Sequence, residues 1–195
     1  MAITAETLPR MRRWTRVEYE RLIDLGVFGA GERLELLDGL LTVREPQGTR
    51  HAAAIRRVLA ALRAALGEVW QIDSQLPLAV DAASEPEPDV AVVPRDPHAY
   101  RAAHPSRAVL VVEIAEGSYR VDHAYKASLY ARAGVPEYWI TDLAGNALEV
   151  HREPEPSPEA PCGWRYRRVV ALRPGATVAP LVAPTAAIAV ADLLP

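Results

Sequence analysis

The chain has 195 residues, half of them hydrophobic and 24% charged, with a formal net charge of −3. That length suits one domain with a sizeable core, and no apolar run approaches the roughly 20 residues of a membrane helix, so no membrane role is expected. A lone cysteine, Cys162, excludes an internal disulfide framework, and Met1–Arg13 lacks an apolar signal segment, so the expected setting is the cytoplasm.

Thr15 followed by Glu18 makes a capping box and predicts a helix to about Gly26. Arg33–Leu37, Asp38-Gly39 and Leu40–Arg44 read as a hairpin, because Asp-Gly suits a tight primed turn. Thr49 is the expected cap of a second helix. Its Ile55, Val58, Leu59, Leu62 and Leu66 fall at helical spacing before Gly67. Val69–Val80 alternates loosely, as one or two strands. Pro86 and Pro88 keep residues 84–88 out of a central ladder, and they lead into Asp89 and the apolar strand Val90–Val93.

A polar loop, Arg95–Ser106, precedes Ala108–Ile114, whose β-branched run fits a strand buried on both faces. Gly117 breaks the chain, and Asp122–Ala133 reads as a helix closed by Gly134 and Pro136. Glu137–Thr141 and Ala147–Arg152 read as strands around a turn at Asp142–Asn146. Glu153–Gly163 reads as a proline-rich acidic surface loop, Trp164–Ala171 as a strand, and the rest as a proline-punctuated tail. Helices alternating with buried and edge strands predict an α/β fold with a central mixed sheet. Residues 1–195 are expected to form a single domain, with a core over about 14–152, the loop at 153–163, and the C-terminal strand and tail at 164–195.

The acidic balance runs against a generic nucleic-acid surface. The arginines are clustered, however: Arg10, Arg12, Arg13, Arg16 and Arg21, then Arg50, Arg56, Arg57 and Arg63, then Arg165, Arg167, Arg168 and Arg173. Such patches can contact phosphate or simply be solvated. Of 22 cationic side chains only Lys126 is a lysine, which hints at a place where a compact ammonium is needed.

A charge inside an apolar strand is costly without a partner, and Glu113 lies inside Val109–Ile114. Asp89 precedes the neighbouring strand; it could equally just start that strand. Two carboxylates converging from adjacent strands would supply the hard oxygen donors that Mg²⁺ takes at about 2.1 Å. Lys126 on the following helix could then neutralise developing charge, or merely pair with Asp122 four residues earlier, for roughly 0.3–0.5 kcal/mol. Asp122 is expected to orient Lys126. His51 could carry a proton, contact phosphate or make a structural hydrogen bond. Ser118 lacks a nucleophile-elbow pattern, and one cysteine with scattered histidines gives no zinc motif.

The span from about Trp14 to Arg152 resembles a family of predicted restriction endonucleases, common in cyanobacteria and other bacteria, within the PD-(D/E)XK nuclease superfamily. The resemblance is carried by Leu34-Glu35-Leu36-Leu37-Asp38-Gly39, by His51 at the head of a helix, by Glu87-Pro88-Asp89-Val90, and by Val111-Val112-Glu113-Ile114. Asp122 with Lys126 and Tyr130 continues it, and Ala133-Gly134-Val135-Pro136-Glu137-Tyr138-Trp139-Ile140 is its most specific piece.

The resemblance implies a restriction-endonuclease-like core and Mg²⁺-dependent hydrolysis of DNA phosphodiester bonds, with Mn²⁺ as a substitute. It implies catalytic Asp89, Glu113 and Lys126, with Asp89 and Glu113 as metal ligands and Glu35 as an additional acid near the metal. The superfamily lysine would stand two residues after the glutamate, where this chain has Ala115; the lysine's place is taken from the next helix by Lys126. A second reading is a catalytically inactive binding or regulatory module that keeps the fold. A homodimer would present two sites to the two strands of a duplex.

Overall fold

Helix α1 (Arg16–Asp24) begins where the capping box places it: Thr15 accepts from the Glu18 amide, and the Glu18 carboxylate accepts from the Thr15 amide. Strands β1 (Leu34–Leu37) and β2 (Leu40–Val43) pair antiparallel across Asp38-Gly39. Both turn residues have positive φ, 49° and 79°, as a primed turn demands. This computed structural model describes residues 12–29, 31–44, 46–96 and 99–195; Arg10 and the middle of the polar loop after Pro94 lie outside them.

Helix α2 (Thr49–Leu66) turns Ala54, Ile55, Val58, Leu62 and Leu66 inward. Its cap is Gly48, without a side-chain bond, so Thr49 is the first helical residue rather than the cap. Of Val69–Val80 only β3 (Trp70–Asp73) is a strand. Strands β4 (Val90–Pro94) and β5 (Leu110–Ala115) follow, both buried along almost their whole length. The predicted single helix at 122–133 is two pieces, a π-helical turn (Val121–Lys126) running into α3 (Ala127–Arg132). Strand β6 (Glu137–Asp142) comes next. Strand β7 (Ala147–Pro156) takes in the first four residues of the predicted acidic loop, and β8 (Trp164–Leu172) pairs with it.

The central sheet has the order β3-β4-β5-β6-β7-β8, antiparallel throughout except for the parallel pair β5 and β6. The parallel step follows from the helical crossover between them, which an antiparallel hairpin would not need. Alternation along the strands makes two cores. Val90, Val92, Leu110, Val112 and Ile114 face α2, whereas Ala91, Val93, Val111 and Ala115 face α3 and its Tyr130.

The tail is not peripheral. Strands β9 (Thr177–Val178) and β10 (Ile188–Ala189) pair with each other, and Val178, Ile188, Val190, Leu193 and Leu194 join the α2-side core. Among the described residues no helix is long and apolar enough to cross a membrane.

Candidate active site

Strand β5 puts odd-numbered residues on the α3 side of the sheet, so Glu113 points where Val111 and Ala115 point. Continuing the register in which Val90 faces Val112, Asp89 stands opposite Glu113 just beyond the last ladder pair. The Asp89 amide donates to Glu113 Oε2 at 3.4 Å, and the Ile114 amide donates to Asp89 Oδ2 at 2.8 Å. Two carboxylates from adjacent strands therefore meet at one sheet end.

Lys126 reaches the same place from the π-helical turn. Its Nζ lies 3.1 Å from Glu113 Oε1 and 3.1 Å from Glu35 Oε1, the latter carried in by β1. All three side chains are buried. Lys126 thus arrives from the turn that leads into α3, not from β5 itself. Asp122 does not orient Lys126 by direct contact: its carboxylate accepts from Ser118 Oγ, while the ammonium takes Glu113 and Glu35. His51, on the first turn of α2, brings Nε2 within 3.1 Å of Asp89 Oδ2.

Two further residues belong to the site. Arg44 bridges Glu87 Oε2 at 2.9 Å and Asp89 Oδ1 at 3.3 Å. Tyr130 donates to Glu113 Oε1 at 2.9 Å. Tyr130 stands four residues after the lone lysine, which is a helical neighbour's spacing. Arg44 carried no signal beyond its place at the end of the hairpin.

These groups, Tyr130 and Glu87 excepted, line a cavity of about 560 Å³. Among the described residues its carboxylates come from Glu35, Asp89, Glu113, Glu116 and Asp122, against two fixed cations, Arg44 and Lys126. The imbalance shows in the titration of Glu113, Asp122, Asp89 and Lys126. Burial, helped by the Asp89, Asp122 and Glu35 charges, outweighs Lys126 and pushes the Glu113 carboxyl up to about 8. Burial likewise raises Asp122. Burial would also raise Asp89, but His51, the Ile114 amide and Arg44 together hold it below the usual range. Burial alone would lower Lys126; Glu113, Glu35 and Asp122 overcome it and keep the ammonium firmly charged.

Hard oxygen donors and an uncompensated negative charge in a cavity open to solvent are what a hard divalent cation requires. The residues present fit such an ion. Asp89 and Glu113 would hold it, with Glu35 near by.

A family model described as "Putative restriction endonuclease" matches residues 16–191. The chain belongs to this family, Uma2. No curated protein matches it. Among solved structures it is similar to a protein from Anabaena variabilis ATCC 29413, described as a putative nuclease belonging to DUF820. The TM-score is 0.62 at 16% identity, over 87% of this chain and 94% of that one. At that identity the likeness shows the fold, a nuclease fold. Membership of Uma2 and the fold together support a nuclease. The sequence resemblance and the α/β architecture with its mixed sheet are thus both borne out.

Proposed function

We propose that this Uma2 chain is a Mg²⁺-dependent endonuclease that hydrolyses DNA phosphodiester bonds at the cavity between β4, β5 and the π-helical turn. The observation that carries the reading is the meeting of Asp89, Glu113 and Lys126, with Lys126 Nζ 3.1 Å from the glutamate and the Asp89 amide 3.4 Å from it. Mg²⁺, with Mn²⁺ as a substitute, would polarise the phosphate and steady the leaving oxygen.

The chain's own residues account for the rest. Lys126 places a charged, compact donor at the edge of the cavity, where negative charge grows as the phosphorus is attacked. Tyr130 and the Asp89 amide restrict the Glu113 side chain from both of its oxygens. Arg44 and the Ile114 amide do the same for Asp89. The amino end of α2, which has no side-chain cap, opens on the cavity and favours an anion such as a phosphate. His51 stands where it can accept or donate a proton beside Asp89.

The test is nicking of supercoiled plasmid in Mg²⁺. The purified chain converts it to open circles, and Glu113→Ala abolishes the conversion while circular dichroism and unfolding remain cooperative. Unchanged cleavage by that variant refutes the reading. Ala115 favours the second reading, an inactive binding module. Calorimetric titration separates them: no Mg²⁺ or Mn²⁺ binding at millimolar metal supports the module.

A further inference from the structure

The histidines that lie scattered in sequence are partly gathered by the fold. Glu149 and His151 alternate along β7 and so emerge on one face of the sheet, the face that the π-helical turn covers. His123 descends from that turn to meet them. His123 Nε2 lies 3.5 Å from Glu149 Oε2, and His151 Nε2 lies 3.2 Å from the same oxygen. None of the three lines the catalytic cavity.

We propose that His123, Glu149 and His151 form a second cation site, for a divalent metal of the zinc class. The donor set is the first argument. Two imidazoles and one carboxylate match a borderline ion, whereas Mg²⁺ and Ca²⁺ prefer oxygen throughout.

Geometry is the second. Four ligands at about 2.0–2.1 Å around a tetrahedral ion stand roughly 3.3–3.4 Å apart. The two measured edges, 3.5 and 3.2 Å, already have that length, and the remaining pair of ligand atoms lies within 4.8 Å. Closing it needs a shift of His123, whose side chain is 45% exposed.

The surroundings are the third. Tyr119 donates to Glu149 Oε1 at 2.6 Å, leaving Oε2 to face the two imidazoles. Tyr119 stacks on His123 with ring centres 5.3 Å apart, and Tyr138 and Tyr166 wall His151 at 5.5 and 5.9 Å. Those last two tyrosines hold the buried His151 ring in place, so the exposed His123 is the ligand that adjusts. His123 is exposed, so the fourth position is open to solvent. The site stands apart from the nuclease reading, although Lys126 lies on the same six-residue turn.

Zn²⁺ titration of the full chain by calorimetry tests this, in saturating Mg²⁺ to occupy all-oxygen sites. The expected result is one Zn²⁺ per chain at micromolar affinity. His123→Ala, a substitution at an exposed position, and Glu149→Gln should each weaken that affinity at least tenfold with circular dichroism unchanged. Asp89→Asn, in the catalytic cavity, should leave it within twofold. Zn²⁺ binding should also raise the melting temperature of the parent chain and not that of His123→Ala. The proposal is overturned by no binding at millimolar Zn²⁺, by parental affinity in His123→Ala, or by loss in Asp89→Asn alone.

Discussion

Lys126 holds two buried carboxylates, Glu35 and Glu113, that have few other sources of positive charge. Removing one partner of a buried ion pair leaves the other uncompensated, at about 3–5 kcal/mol. Lys126→Met should therefore destabilise the fold by that order in urea unfolding at pH 9, where Glu113 of the parent chain is ionised, as well as abolish nicking. Glu113→Gln added to Lys126→Met should recover part of the loss, because one of the stranded charges is gone. Equal losses in the single and double variants would mean the pair is not coupled.

Glu85 gives a pH dependence unconnected with the cavity. Burial first, then the hydrogen-bonded neighbour Glu20 and its charge, raise this carboxyl from 4.5 to about 7. Its Oε2 has no hydrogen-bond partner. A folded-state value above the unfolded one favours the protonated form in the fold. The associated stability is complete below pH 4.5 and lost as pH rises through about 7. Stability should thus fall by about 1–3 kcal/mol between those values, a range set by the size of the shift. Glu85→Gln should flatten the fall in a pH series of urea midpoints. A variant that keeps the parental slope counts against this assignment.

Residues were legible in the sequence where local chemistry was out of place. Glu113 announced itself as a charge within an apolar strand, Asp89 by its position at the head of the next one, and Lys126 by being the sole lysine. Arg44 offered no such contrast, and its bond to Asp89 joins positions 45 apart in the chain. His123, Glu149 and His151 were scattered for the same reason: only the packing of the π-helical turn over β7 makes them neighbours.

At the scale of elements, the hairpin matters because it delivers Glu35 into the cavity and ends at Arg44. Its turn leaves little choice at Gly39, where φ is +79° and a Cβ would meet Arg13 Cβ at 2.6 Å. Gly39→Ala should cost about 1–2 kcal/mol for the left-handed backbone alone, with more from the contact. A melting temperature equal to the parent's would show that the turn adjusts freely. Because the turn also anchors Asp38 between Arg13 and Arg132, at 2.7 Å each, the variant should nick more slowly than its stability loss explains.

Element boundaries were read well where a backbone rule decides them, at the Thr15 capping box, the Asp-Gly turn and Gly67. They were read poorly where tertiary packing decides. Thr49 has the chemistry of a cap, yet Gly48 occupies the position. Periodicity could not separate a π-helical turn from the α-helix it joins. The acidic, proline-rich stretch after Arg152 continues as strand because β8 pairs with it, Pro154 opposite Tyr166 and Pro156 opposite Trp164. Both prolines lie next to the sheet edge that β8 forms.

For the whole molecule, the mixed sheet separates two tasks by face. The α2 side is apolar and is completed by the C-terminal segment, which a proline-punctuated sequence gave little reason to expect in a core. The α3 side carries Glu113, Asp89 and their partners at one end, and aromatic packing around Tyr138 and Tyr166 further along. Much of the arginine clustering is spent on structure. Arg165 and Arg167 pair with Glu155 and Glu153, and Arg57 donates to the carbonyls of Ala191 and Asp192. A cavity with more carboxylates than cations repels a phosphodiester until a divalent ion offsets the charge, so the account stands or falls on that ion.

Crystals soaked in Mn²⁺ test it most directly, through anomalous scattering at the manganese edge. The account predicts a peak within coordination distance of both Asp89 and Glu113, with Lys126 Nζ beside it and displaced from direct contact with the glutamate. A well-ordered cavity with no peak there at millimolar Mn²⁺, and the Lys126–Glu113 contact unchanged, contradicts it.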